Sequence, residues 1–275
     1  MVALLTLENV LNCLFCLIAA PVREIVLLNV VDLAAPRTNM RGASSMKAYM
    51  NWSSGKDSAL ALYKTLQSKE YEVISLLTTV SGDNNRVSMH GVHADLLRQQ
   101  ANCLGLPLSI IAIPPSSDTR AYEDCMLQAM APLKEAGAHY AIFGDIHLKD
   151  VKEYREEKLA KAQMKPVFPL WGLPTNELIE EFIDLGFKAV VTCVDAQKLG
   201  EDFVGRVIDR DFIASLPANV DICGENGEFH SFVFDGPLFK RPVDFKLGEK
   251  VYSEYTVGSA ETYGYWYIDI LLSGQ

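Results

Sequence analysis

The chain has 275 residues and a formal net charge of −10, with 49% hydrophobic and 22% charged residues. This length and composition are those of a globular protein with one large domain or two smaller ones. An acidic surface repels nucleic acid, so we expect no nucleic-acid partner; a local basic groove is the alternative. Of the six cysteines only Cys13 and Cys16 are closely paired, and no second pair completes a zinc site; their scatter favours a reducing, cytoplasmic location, with a redox or sulfur-carrier role for the first pair as the alternative.

Residues 1–45 are mostly apolar, but charges interrupt them at Glu8, Arg23, Glu24 and Asp32. No stretch reaches the ~18–20 apolar residues of a membrane-spanning helix, and no basic segment of the secretory type precedes the first run. We therefore interpret residues 1–45 as an N-terminal extension outside the core and expect no membrane partner. A short helix that docks on a protein or lies on a membrane surface is the alternative.

From residue 46 onward, strand and helix patterns alternate. The predicted strands are 47–52, 72–80, 108–113, 141–144, 165–170 and 188–194, and the predicted helices are 58–68, 90–104, 121–136, 150–163 and 175–185. This alternation predicts an α/β fold in which helices sandwich a parallel sheet, and such sheets bind ligands beyond the carboxyl ends of their strands. Glycines and aromatic residues become closely spaced after residue 195. We therefore predict one domain at 46–195 and a smaller α+β portion at 196–275 on the substrate side.

A short polar loop joins the first strand to the first helix. It consists of Ser53, Ser54, Gly55, Lys56, Asp57 and Ser58. The first N–H groups of a helix lack partners and attract anions, glycine permits close approach and lysine adds charge, so the loop predicts a phosphate site. It is not a Walker A loop, because Met50 stands where that motif has its first glycine and Asp57 where it has a hydroxyl. The alternative is an ordinary serine N-cap.

Two further segments carry polar residues suited to chemistry. Asp145 follows the fourth strand and predicts a ligand for Mg2+ at the same sheet edge, with a helix N-cap as the alternative. His90 and His93 lie three positions apart, on one face of a predicted helix. Two histidines are weak evidence for zinc, so contact with substrate is the functional interpretation and a solvated helix start is the alternative.

The segment 223–239 holds two glutamates, Glu225 and Glu228, on either side of Gly227, and Asp235 follows on a strand-like run. Turns require glycine but do not require two glutamates beside it. Clustered carboxylates suit a cation, a cationic substrate or ammonia. The alternative is a surface hairpin with solvated acidic side chains.

The loop at 53–58 resembles the Ser-Gly-Gly-Lys-Asp-Ser PP-loop of the ATP pyrophosphatases, with Ser54 in place of the first glycine. With "MHGVHADLLRQQANCLGLPL", "FGDIHLKDVKEYREEKL", "PLWG" and "GENGEFHSFVFDGPLF", the chain resembles the diphthine–ammonia ligase (diphthamide synthase) family over about residues 46–245. The resemblance implies the HUP-type, adenine nucleotide alpha-hydrolase-like fold, with ATP bound by residues 46–195. It also implies that Asp145, Tyr154 and Arg155 share one motif, and that Gly224 and Gly227 share another with the two glutamates.

The reaction that the resemblance implies is an ATP-dependent amidation. Transfer of AMP to a carboxylate releases pyrophosphate, and ammonia then displaces AMP. The expected ligands are ATP, Mg2+, ammonium and a carboxylate, which in the family belongs to diphthine on translation elongation factor 2. We expect catalysis from Lys56, Asp57, Asp145, Glu225 and Glu228, ATP binding by 53–58, and substrate contacts from His90, His93, Tyr154, Arg155, Gly224 and Gly227. A homo-oligomer is compatible with this reading.

Three other functions stay open. A ligase for a different carboxylate is favoured by features of a bacterial-type member, such as the "YREEKL" helix. A tRNA-modifying PP-loop enzyme is disfavoured by the acidic charge and by the lack of paired CxxC motifs in the core. A nucleotide-binding sensor that keeps the loop without turnover belongs to a different class.

Overall fold

A computed structural model describes residues 45–114, 119–257 and 261–273. The strands are β1 (Met46–Asn51), β2 (Tyr71–Ser81), β3 (Leu108–Ile113), β4 (Tyr140–Ile142), β5 (Lys165–Val167), β6 (Lys188–Asp195), β7 (Phe229–Asp235), β8 (Phe245–Val257) and β9 (Glu261–Leu272). The helices are α1 (Lys56–Ser68), α2 (Ala94–Leu104), α3 (Thr119–Glu135), α4 (Lys149–Lys161), α5 (Thr175–Asp184) and α6 (Arg210–Ser215). The predicted extension lies outside the described residues, apart from Ser45.

The predicted parallel α/β sandwich is confirmed by a five-stranded sheet in the order β3-β2-β1-β4-β5, in which every pair is parallel. Side chains of β1 alternate between its two faces, as the strand repeat requires. Ala48 and Met50 pack with Leu62 of α1 and lie in the same buried cluster as α2. Tyr49 lies on the opposite face, in a cluster with Met130 of α3 and Leu159 of α4. Buried apolar side chains thus fix helices on both faces and leave the strand ends free.

The second sheet is antiparallel, in the order β7-β6-β9-β8. Strand β6 corresponds to the run predicted at 188–194, and its expected parallel pairing is wrong. Six consecutive residues of β6 are buried because both of its faces are covered, and such a run does not distinguish a parallel strand from a central antiparallel one. Strands β1 to β5 form the first sheet and strands β6 to β9 the second, but one buried apolar cluster includes residues of both sheets. The predicted domain boundary after residue 195 stays a prediction.

The helix predicted at 90–104 begins only at Ala94, so the prediction that His90 and His93 share a helix face is wrong. The cause is the preceding turn, in which Met89 and Gly91 have φ angles of 61° and 66°. Left-handed backbone cannot belong to a right-handed helix. Among the described residues, no helix has the length and apolar character needed to cross a membrane.

Candidate active site

A cavity of about 480 Å³ lies where the carboxyl ends of the parallel strands face β7. It brings together most of the residues singled out from the sequence: Ser53, Lys56, Asp57, Ser58, His90, Asp145, Tyr154, Arg155, Gly224, Glu225 and Gly227. Ser54, Gly55, His93 and Glu228 do not line it. The cavity volume falls within the range typical of small-molecule sites.

The N-terminus of α1 opens into this cavity. Its N-cap residue is Gly55, which has no side chain to cap the helix, so the alternative of an ordinary serine N-cap does not hold. Within the described residues, the N–H groups of Asp57 and Ser58 have no hydrogen-bond partner. Gly144, just after β4, faces them: a Cβ there would lie 2.8 Å from the carbonyl carbon of Asp57 and 2.9 Å from the nitrogen of Ser58. The missing side chain keeps these donors available to an anion.

The second sheet holds the loop in place. The backbone N–H of Lys56 donates to Ser231 Oγ at 3.1 Å, and Val233 N donates to the carbonyl oxygen of Ser54 at 2.9 Å. The buried amide of Gln100 donates to the same Ser54 oxygen at 3.1 Å and to the Val233 oxygen at 2.6 Å. Ser54, which stands at the usual glycine position, has a φ of 76°, so the loop requires there the conformation that glycine adopts most readily.

Lys56 is almost fully buried, and its Nζ lies 2.8 Å from both carboxylate oxygens of Asp57. Burial lowers the pKa of Lys56, but the neighbouring Asp57 and other acidic groups outweigh burial and raise it above its usual value. The lysine is therefore a protonated cation at the loop. An incoming phosphate would replace one anionic partner by another.

A second ion pair lies across the cavity, between Arg155 of α4 and Asp145 after β4. Arg155 Nη2 donates to Asp145 Oδ1 at 3.1 Å, and its Nε lies 2.9 Å from Oδ2. Among the described residues, no three His, Cys, Asp or Glu side chains are arranged to hold a metal ion. Mg2+ usually binds through one or two carboxylates together with substrate phosphates, so the cavity carboxylates fit a metal that arrives with a nucleotide. Asp145 as a metal ligand stays a prediction.

The two glutamates of the 221–228 segment lie in different environments. Glu228 is buried away from the cavity and accepts hydrogen bonds from the backbone of Asp221 and from Asn226. Glu225 lines the cavity and accepts from Ile146 N at 2.8 Å. Burial first, and then the Asp57 carboxylate, raise the pKa of Glu225 to about 8. A direct catalytic role fits Glu225, whereas the contacts of Glu228 are those of a residue that shapes the turn.

The two histidines also separate. His93 is the N-cap of α2 and accepts from Asp95 N at 3.3 Å, so it supports a helix start. His90 lines the cavity, and its Nδ1 lies 3.1 Å from the carbonyl oxygen of Ser231. Its ring centroid is 4.8 Å from that of His230, which also lines the cavity. Burial lowers the pKa of His90 to about 4, so its ring is neutral near pH 7.

Sequence reasoning missed His230, Gln100 and Gly144. His230 lies within the 223–239 segment, and Gly144 directly precedes Asp145, so proximity to a predicted site residue is a signal that was available for both. Gln100 had no such signal, because it lies on an amphipathic helix where a glutamine usually faces solvent. Its role depends on contacts with Ser54 and Val233, which are distant from it in sequence.

Two family models, described as the N-terminal and the C-terminal domain of diphthamide synthase, match residues 46–166 and 174–268. The chain belongs to the diphthamide synthase family. Both the parallel sheet with its loop and the second sheet with the 221–228 segment fall within the matched residues. The cavity between them is therefore a feature of the two family domains combined.

Curated relatives of the chain include diphthine–ammonia ligases from vertebrates. The enzymes of Bos taurus and Homo sapiens are each 30% identical over 110 residues, which cover 38% of this chain and 41% of the relative. The chain thus matches less than half the length of these two relatives. The enzyme of Mus musculus is 26% identical over 224 residues, covering 72% of this chain and 82% of its own. A solved U34-tRNA thiolase, NcsA from Methanococcus maripaludis with its [4Fe-4S] cluster, aligns over 51% of this chain and 57% of its own, with a TM-score of 0.32 and 16% identity.

Proposed function

We propose that the protein is an ATP-dependent ligase that adenylates a carboxylate, releases pyrophosphate and then transfers ammonia to the acyl group. The observation that carries the proposal is the N-terminus of α1 in a cavity that the second sheet closes: beside Lys56, two of its N–H groups have no hydrogen-bond partner among the described residues. Backbone donors, a helix dipole and a buried cation together suit a polyphosphate.

The proposed reaction has two steps. An oxygen of the acceptor carboxylate attacks the α-phosphorus of ATP, and the bond to the β-phosphate oxygen breaks, so that pyrophosphate leaves. Ammonia then attacks the acyl carbon, the acyl–oxygen bond breaks, and AMP leaves while the nitrogen loses a proton. Lys56 and the N–H groups of α1 hold the phosphates and orient them, which is where an enzyme of this type gains most of its rate.

Bound Mg2+ would neutralise phosphate charge, with Asp57 and Asp145 as the cavity carboxylates that would hold it. On the ammonia side we assign Glu225, whose carboxyl group lines the cavity and whose pKa burial raises to about 8. A group with that pKa is suited to accept the proton that the attacking nitrogen releases, a contribution of typically ~10²–10⁴ in rate.

The relatives are named for diphthine, and a diphthine-like carboxylate on a protein is the acceptor that we propose first; a different carboxylate is the alternative. We also propose that the protein acts in the cytoplasm. Thiolation is disfavoured, because Cys103, Cys125, Cys193 and Cys223 are all buried. Cys223 is the nearest of them to the loop, but its Sγ donates to Thr175 O and burial raises its pKa to about 12. The described part of the chain therefore offers no reactive thiol at the cavity.

The test is to identify the nucleotide product. The protein is incubated with ATP, Mg2+ and ammonium, together with diphthine-bearing elongation factor 2 or a panel of metabolite carboxylates, and products are separated by chromatography. We expect AMP and pyrophosphate, formed only when an acceptor is present, and no product from Lys56→Ala. ADP as the main product would refute the adenylation mechanism. Nucleotide binding without cleavage for every acceptor would favour the sensor.

A further inference from the structure

Three cation–carboxylate pairs line the cavity. Lys56 pairs with Asp57 at the loop, Arg155 in the middle of α4 pairs with Asp145, and Lys158 of α4 pairs with Glu123 of α3. Both Asp57 and Asp145 raise the pKa of Glu225, so Glu225 lies near the Lys56 and Arg155 pairs. The proposed reaction also requires two anionic groups to meet, the phosphates and the acceptor carboxylate. The phosphates are accounted for by the loop, whereas Arg155, the cation of the second pair, has no anionic ligand assigned to it.

The second pair has hydrogen-bond donors to spare. A guanidinium carries five N–H donors, and Asp145 faces only the Nε and Nη2 of Arg155. Within the described residues, Nη1 has no partner. The adjacent Tyr154 hydroxyl is buried and also lacks a hydrogen-bond partner in the described part of the chain. Burial raises the pKa of Tyr154 to about 12, so its hydroxyl keeps the proton that it would donate. A buried, unpaired donor is costly unless a ligand satisfies it.

Apolar groups adjoin this pair, and the Lys158–Glu123 ion pair lies beside Tyr154, with Lys158 Nζ 5.0 Å from the Tyr154 ring centroid. The Arg155 guanidinium lies 4.4 Å from the ring centroid of Phe143. The cavity lining also includes Tyr122, Met126 and Met130, which lie at four-residue spacing on one face of α3. Aromatic and thioether side chains suit the organic body of an acceptor better than a triphosphate, whose charges require many polar partners.

We propose that Arg155 and Tyr154 bind the carboxylate of the acceptor, whose apolar body packs against α3, and that Asp145 holds the guanidinium until that carboxylate replaces it. This proposal rests on the proposed function, because it supplies the site of the group to be adenylated. Planar guanidinium–carboxylate pairing by two parallel hydrogen bonds would also fix the orientation of the attacking oxygen. The alternative ligand of Arg155 is the nucleotide, whose phosphate groups also carry negatively charged oxygens.

Direct binding separates the two sources without requiring turnover. The probes are 3-phenylpropanoate, a carboxylate on an apolar body, and a non-hydrolysable ATP analogue with Mg2+, each titrated separately by calorimetry into the full chain. The variants are Arg155→Gln, Tyr154→Phe and Asp145→Asn. Lys152→Gln is the matched control: it removes the same charge from the same helix at a residue that does not line the cavity.

We expect Arg155→Gln to weaken phenylpropanoate binding about ten- to a hundredfold, the effect of losing a charge-assisted hydrogen bond, and Tyr154→Phe to weaken it less. Asp145→Asn should strengthen it, because the competing carboxylate is gone. Lys152→Gln should change neither affinity. A purely structural role for the pair would weaken binding in both the Arg155 and Asp145 variants, so opposite signs are the diagnostic result.

Three results would overturn the proposal. They are loss of analogue affinity in Arg155→Gln with phenylpropanoate binding intact, no binding of phenylpropanoate to the unaltered protein, or equal losses in the control variant. Failure of the proposed function is distinct from these, since ADP formation would refute the adenylation chemistry and leave the binding results unchanged.

Discussion

The 53–58 loop and the 221–228 segment both lie at the cavity, and both are short, glycine-containing and rich in polar groups. They differ in what those groups contact. In the loop, two backbone N–H groups have no partner in the part of the chain that the structure describes, and the lysine pairs with the adjacent aspartate. In the 221–228 segment, Asp221, Glu225 and Glu228 each accept hydrogen bonds from the chain itself.

This difference shows how to read polar motifs at a site. A carboxylate whose oxygens are already saturated by N–H groups stabilises a turn, whereas donors that remain unpaired are available to a ligand. Glu225 lies between these cases, because it anchors the loop after β4 and also lines the cavity. The comparison therefore predicts which substitutions change folding and which change binding.

The largest effect is expected at Glu228, in the 221–228 segment, whose carboxylates already accept hydrogen bonds from the chain. Glu228→Ala leaves three N–H donors of Asp221 and Asn226 without their acceptor. We expect the free energy of unfolding to fall by about 3 kcal/mol in urea denaturation, since bonds to a buried charge are the costly ones to lose. The exposed Glu201→Ala is the control. A Glu228 variant of unchanged stability that fails to bind the ATP analogue would show that this residue belongs to the nucleotide site.

The second-largest effect is expected at Gly144, which faces the 53–58 loop. Gly144→Ala places a methyl group within 3.0 Å of three backbone atoms of Asp57 and Ser58. Overpacking of this kind costs about 1–3 kcal/mol, and we expect the loop to move out of its binding position to relieve it. A loss of that size in the free energy of binding corresponds to an ATP-analogue affinity about five- to 140-fold weaker in calorimetry. Gly248→Ala, in β8, is the control, because its Cβ would come no closer than 3.1 Å to Asp269. Equal affinity in both variants would mean that the N-terminus of α1 does not bind the nucleotide.

The third prediction tests Glu225 through pH. Its raised pKa means that the folded chain holds a proton that the unfolded chain releases near pH 4.5. The stability that the protonated group provides is complete below pH 4.5 and is lost as pH rises through about 8. Glu225→Gln mimics the protonated form, so its melting temperature should exceed that of the unaltered protein by a margin that grows up to pH 8. Glu201→Gln should show no such trend, and a constant offset at Glu225 would contradict the raised pKa.

Local patterns predicted much of the fold and part of the site. The alternation of apolar runs located β1 to β5, and the Lys56 motif located the cavity, because strand ends of a parallel sheet converge. The pairing of β6 was not predictable from a uniformly apolar run. The separation of Glu225 from Glu228 was not predictable either, since it depends on which N–H groups lie nearby in space. The position of His93 was not predictable for a similar reason. The helix begins after His93, and not before it, because the residues ahead of it form a left-handed turn.

The smallest effect is expected at Ser54, where the loop departs from the usual glycine. A φ of 76° strains a serine by about 1–2 kcal/mol, and its buried hydroxyl has no partner among the described residues. Glycine removes both penalties but adds about 0.5–1 kcal/mol of chain entropy to the unfolded state. Ser54→Gly should therefore raise the free energy of unfolding by about 1 kcal/mol in urea denaturation. Ser53→Gly should lower it, because Ser53 Oγ accepts from Gly55 N and contacts Ser58 Oγ. If Ser54→Gly destabilises the chain instead, the serine side chain has a function in the loop that its contacts do not reveal.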